Sequence, residues 1–111
     1  MKTGIFSVAL VAMMIGLAAY VQPTQTLKDV TVIVDGQGYH PPSVTITAGQ
    51  TVSWYNAERD GAHSATADDF TWDTGDMWPF ATCWITFEQP GVYYYHCMHH
   101  PEEVGELIVT K

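Results

Sequence analysis

The chain has 111 residues, room for one domain. Four Lys and Arg stand against twelve Asp and Glu, a formal net charge of −8. That balance excludes nucleic-acid binding through phosphates and leaves two consequences open, simple solubility or attraction towards a basic protein partner.

In chain order, Met1-Lys2 is followed by an uncharged apolar run over residues 5–21, with small residues around Gly16-Leu17-Ala18-Ala19. One positive charge, an apolar stretch and small residues predict a secretory signal. The run is also at the lower limit for crossing a bilayer, so a retained N-terminal membrane anchor is the alternative. Either outcome puts the remainder outside the cytoplasm, in a periplasmic, cell-surface or extracellular setting. Residues 1–21 are thus signal peptide or anchor, 22–27 a short polar linker, and 28–111 the folded domain, long enough for one core.

No long stretch of that domain has helical periodicity, whereas period-two alternation recurs. Val30, Val32 and Val34 alternate with Thr31 and Ile33, and Asp35-Gly36-Gln37-Gly38 then breaks the chain. Val44 and Ile46 alternate with Ser43, Thr45 and Thr47, and Ala48-Gly49-Gln50 is a turn. Val52 and Trp54 alternate with Thr51 and Ser53; Cys83, Ile85 and Phe87 alternate with Thr82, Trp84 and Thr86. Gln89-Pro90-Gly91 turns the chain into a strand over Val92 to His96, and Leu107 to Val109 is the last strand. Between strands, Asp68 to Pro79 carries four aspartates, a glycine and two tryptophans, predicting a surface excursion with room for a short helical turn. Short strands at this spacing predict an all-β sandwich.

Two cysteines in an exported chain suggest a disulfide, and alternation turns both Cys83 and Cys97 inward. The company of Cys97 points elsewhere. Cys97-Met98-His99-His100 puts an imidazole three residues after a thiol, in a loop leaving a strand. A thiolate and two imidazoles in a trigonal arrangement are the donors of a blue-copper site. The second imidazole has to come from another loop, and His63, shortly after the Trp54 strand, fits.

With these residues in view, the chain resembles the cupredoxins of plastocyanin and amicyanin type over nearly all of residues 28–111. "YHPPSVTITAGQTVSWYNAERDGAHS" is similar to the family's first half, and "FEQPGVYYYHCMHHPEEVGELIV" to its second. The resemblance implies a Greek-key β-sandwich with one copper at one end, held by His63, Cys97 and His100. It also implies a departure. The amicyanin-like pattern is Cys-x-x-His-Pro-x-Met, and Glu103 occupies the methionine's place; the longer plastocyanin-like spacing points to Gly105, which has no ligand atom. The fourth ligand is therefore Glu103, or the position is open. A hard anionic carboxylate favours Cu(II) where a thioether tolerates Cu(I), so bound Glu103 lowers the reduction potential.

The other candidates carry weaker signals. His96 points opposite to Cys97 on its strand, and His40 and His99 have no assigned role. Met77 and Met98 are soft donors better explained by packing or exposure. Asn56 and Ser64 are expected to hydrogen-bond around the ligand loops. Cys83 is expected to be a buried thiol, and the tryptophans and tyrosines mostly core. The function expected is that of an extracytoplasmic one-electron carrier, serving a redox protein partner with a basic docking surface. Alternatives are small-molecule redox chemistry on a nitrogen oxide or oxygen species at an open copper, copper storage or delivery, and a metal-free disulfide-bonded adhesion domain.

Overall fold

The structure, a computed structural model, describes residues 29–111. The expected signal or anchor and the linker lie outside the described residues. No helix among the described residues is long and apolar enough to cross a membrane.

Eight strands form: β1 (Val30–Asp35), β2 (Gly38–His40), β3 (Ser43–Thr47), β4 (Thr51–Asn56), β5 (Thr66–Ala67), β6 (Thr82–Thr86), β7 (Gly91–His96) and β8 (Val104–Thr110). They make two four-stranded sheets, ordered β2-β1-β4-β6 and β3-β8-β7-β5. The all-β sandwich expected from the alternation is therefore present. The strands bury one face each: Val32 and Val34, Val44 and Ile46, Val52 and Trp54, and Leu107 and Val109 all point into the shared core. β1 runs parallel to β4 and β3 parallel to β8, while the remaining pairs are antiparallel.

Trp54, wholly buried, is the centre of the core. It stacks on Trp72 with ring centroids 5.6 Å apart and meets Tyr95 and Phe87 edge-on. Edge-to-face contacts of this kind add about 0.5–1.5 kcal/mol each beyond the area they bury.

Three expectations are corrected. Asp35-Gly36-Gln37-Gly38 does not merely break the chain: it folds back as a hairpin, and β2 pairs with β1. Gly38 takes φ 110° there, a conformation that favours glycine. The Asp35 carboxylate accepts a hydrogen bond from the Gln37 amide, which holds its acid below the usual carboxylate range. Second, the Asp68–Pro79 excursion has no helical turn; it is pinned by bridges between His63 and Met77 and between Thr66 and Asp73. Third, the tryptophans divide evenly. Trp54 and Trp72 pack in the core, whereas Trp78 and Trp84 are exposed, because Trp84 alternates outward on edge strand β6.

Candidate metal centre

The site is assembled at the end of the sandwich where β4 and β1 finish, β7 finishes and β8 begins. Strand alternation aims its side chains. On β7, His96 points outward, so the next residue, Cys97, points inward and is wholly buried. At the far side of the loop, Val104 points outward on β8, so Glu103 turns inward and is buried while Glu102 is exposed. The same alternation thus selects position 103 and leaves 102 in solvent. The Cys97 amide donates to the Glu103 carbonyl at 3.1 Å and the Glu103 amide to the His100 carbonyl at 2.8 Å, closing the loop as a turn. His63 arrives from the β4–β5 loop, fixed by two backbone hydrogen bonds with Met77.

The donor atoms of His63, Cys97, His100 and Glu103 lie within 4.8 Å of one another. Cys97 Sγ is 3.8 Å from His63 Nδ1 and 3.7 Å from His100 Nδ1. Glu103 Oε1 is 3.0 Å from His63 Nδ1 and 3.7 Å from His100 Nδ1. These separations can be tested against a shared ion. Bonds of about 2.0 Å to nitrogen and about 2.3 Å to sulfur, opened to a trigonal angle, place N and S about 3.7 Å apart. The two Cys97–His distances match that value. The four residues therefore fit one metal ion in a set of two imidazoles, one thiol sulfur and one carboxylate.

The surroundings hold these donors still. The Ser64 amide donates to Cys97 Sγ at 3.4 Å, and Ser64 Oγ accepts from the Met98 amide at 2.9 Å, tying the two loops together. Asn56 donates to the carbonyls of Gly61 and Met77 and accepts from the Glu58 amide. Both residues expected to brace the ligand loops do so. Tyr39 donates its hydroxyl to the Ser64 carbonyl. Burial first, then the neighbouring Cys97, Tyr95 and Glu103, pushes its phenol far above the ordinary range, so it stays a donor.

The remaining candidates lie outside the group. Cys83 and Cys97 are both free, so no disulfide joins them, and Cys83 is half-buried rather than fully buried. His40, His96 and His99 face outward and meet Asp35, Asp68 and Asp76 at 3.0, 2.8 and 2.7 Å. The aspartates of the 68–79 excursion are thus committed to separate local bonds: Asp73 to Thr66 and the Gly75 amide, Asp69 to Thr71. Gly105 sits on β8, and a Cβ there would come within 2.3 Å of the Tyr95 ring, so packing demands glycine at that position.

One residue was missed from sequence. Glu58 Oε1 lies 2.5 Å from His63 Nε2, the ring nitrogen pointing away from the donor group. Its only signal was a carboxylate in the loop that carries His63, which spacing alone does not distinguish from a solvated acid.

No family model matches the chain, and no curated protein matches it either. Solved structures do. The chain is similar to the purple cupredoxin from Nitrosopumilus maritimus, at 25% identity and TM-score 0.68, over 73% of this chain and 99% of that one. It is similar to a mutant of amicyanin in its Cu(I) form, at 26% identity and TM-score 0.65, over 72% and 80%. It is also similar to the Cu-containing nitrite reductase NirK from Thermus scotoductus SA-01, at 28% identity and TM-score 0.70, over 85% of this chain but only 24% of that one. In its two-sheet fold and in the His-Cys-His-Glu group gathered at one end of it, the chain is a cupredoxin with glutamate in place of the amicyanin-like methionine.

Proposed function

We propose that the protein binds one copper ion through His63, Cys97, His100 and Glu103 and works as a one-electron carrier outside the cytoplasm. The observation that carries this is the buried thiol of Cys97 set at 3.7–3.8 Å from two imidazole nitrogens, in a fold whose solved relatives include copper proteins by name. Copper supplies the one-electron change between Cu(I) and Cu(II).

The protein's own residues supply the rest. Cys97 and His63 are wholly buried, so water is excluded from that side of the site. His100 keeps 42% of its side chain exposed while its Nδ1 faces the donor group. Its outer ring edge is thus the exit for an electron. A negative surface, net −8, steers a partner with a basic docking face. Glu103 stands among the other three donors, which supports the carrier reading over small-molecule chemistry at an open position. The apolar run over residues 5–21 supports export, as signal or anchor.

The test is Cu(II) titration of the domain followed by visible absorption. The carrier account expects one equivalent to saturate an intense sulfur-to-copper charge-transfer band that a reductant bleaches and an oxidant restores. Binding without such a band, exchangeable by mild chelators, would instead indicate storage or delivery.

A further inference from the structure

His63 has a carboxylate on each ring nitrogen. Glu103 approaches Nδ1, and Glu58 approaches Nε2 at 2.5 Å. Glu58 is not a casual neighbour, because the surrounding chain is shaped to receive its side chain. A Cβ at Gly36 would come within 2.7 Å of Glu58 Oε2, and one at Gly61 within 3.6 Å of Glu58 Oε1. Gly36 lies in the β1–β2 turn, which thus leaves room for the carboxylate, while a Cβ at Gly61, in the His63 loop, would meet it at ordinary contact distance. The Glu58 backbone is fixed as well, since its amide donates to Asn56 Oδ1 at 2.9 Å. Asn56 in turn holds Gly61 and Met77, and Met77 holds the His63 backbone. One network therefore positions both the imidazole and its partner acid.

We propose that Glu58 is the positioning residue of the metal centre: it accepts the Nε2 proton of His63, keeps Nδ1 turned to the metal, and makes the imidazole a stronger donor that favours Cu(II). This deepens the function proposed above and rests on His63 being a copper ligand. The physical basis is general. A metal on one imidazole nitrogen leaves the proton on the other, and a carboxylate accepting that proton fixes the ring and raises its basicity. His63 is wholly buried, so the imidazole side of the bond is shielded from solvent. Glu58 is about one-third exposed, so its effect is exerted through this hydrogen bond more than through its distant charge.

Three variants of the full domain test it, each read by reduction potential, Cu(II) affinity against a chelator, and proton NMR of the Cu(I) form. Glu58→Gln keeps an acceptor oxygen and removes the charge. Glu58→Ala removes both. Gly36→Ala leaves Glu58 in the sequence and displaces its carboxylate from outside. Loss of the carboxylate is expected to weaken Cu(II) binding about 10- to 100-fold. Where Cu(I) affinity is unchanged, each tenfold raises the potential by about 59 mV. The His63 Nε2 proton is expected to exchange slowly in the parent protein and in Glu58→Gln, and rapidly in Glu58→Ala and Gly36→Ala. Unchanged potential and affinity in Glu58→Ala and Gly36→Ala, with the proton still protected, would overturn the proposal. A parallel Cys97→Ser sample separates the two levels. Loss of the charge-transfer band there with silent Glu58 variants removes only the role of Glu58, whereas a band that survives there removes Cys97 from the copper and with it the proposed donor set.

Discussion

The two loops that build the metal centre contribute the same kind of donor under opposite conditions. The β4–β5 loop delivers a wholly buried His63, with its backbone paired twice to Met77 and its ring between Glu58 and Glu103. The β7–β8 loop delivers His100, 42% exposed, on a turn closed by the Glu103 amide. A carrier needs both conditions. One side must hold geometry so that little rearranges when the charge changes, and the other must bring an edge of the site to a partner. Burial and hydrogen bonding assign rigidity to the first loop and access to the second.

Several substitutions would break or sharpen that contrast. The largest effect is expected from Cys97→Ser, which should abolish the charge-transfer band entirely, because the proposed site has no other sulfur donor. Cys83→Ser, on β6 and outside the donor group, should leave the band intact. Loss of colour in both would point to a shared role for the thiols that the structure does not contain.

Next come the two histidines. His100→Gly should regain its spectrum on addition of imidazole, because the vacated position opens to solvent. His63→Gly should lose stability by about 2 kcal/mol or more through the cavity left in a buried site, and respond to imidazole more slowly. Denaturant unfolding and imidazole titration of the pair measure the contrast directly; equal stability and equal rescue rates would erase it.

A smaller effect is expected behind the second loop. Gly105→Ala should cost about 1–3 kcal/mol by overpacking, because the Tyr95 ring that would have to give is itself buried. The same unfolding curves check it.

The smallest effect is a pH dependence. Burial pushes the Tyr95 phenol up to about 12 from 10.0. A phenol with a raised folded pKa contributes stability fully below its unfolded value. That contribution is lost as pH climbs from about 10 towards about 12. Tyr95→Phe should flatten this alkaline limb of melting temperature against pH, and an unchanged limb would assign it to other groups.

Much of this was legible in the sequence because it depends on local patterns. Alternation around Val32, Trp54, Ile85 and Leu107 marks inward faces whatever the topology, and Cys97, His100 and Glu103 lie within one loop whose spacing can be counted. His63 was legible only through its place after the Trp54 strand. What was not legible depends on contacts between distant segments. Glu58 acquires meaning when the β1–β2 turn brings Gly36 against it. β2 is only three residues long and exists because the hairpin returns it to β1. Trp84 is exposed as the alternation on β6 implies, whereas the exposure of Trp78, in the loop before that strand, follows no local pattern. The helical turn expected in the Asp-rich excursion gave way to backbone bridges with His63 and Thr66 that local propensity does not reveal.

The central claim is that a carboxylate completes the copper site, and the reduction potential of Glu103→Met beside the parent protein tests it most directly. Glu103 Oε1 stands 3.0 and 3.7 Å from the two imidazole nitrogens, so a thioether in its place should weaken the preference for Cu(II). The account predicts a rise of at least about 59 mV, a tenfold change for a one-electron couple, with Glu102→Gln leaving the potential where it was. An unchanged potential in Glu103→Met, or an equal rise in Glu102→Gln, would contradict it.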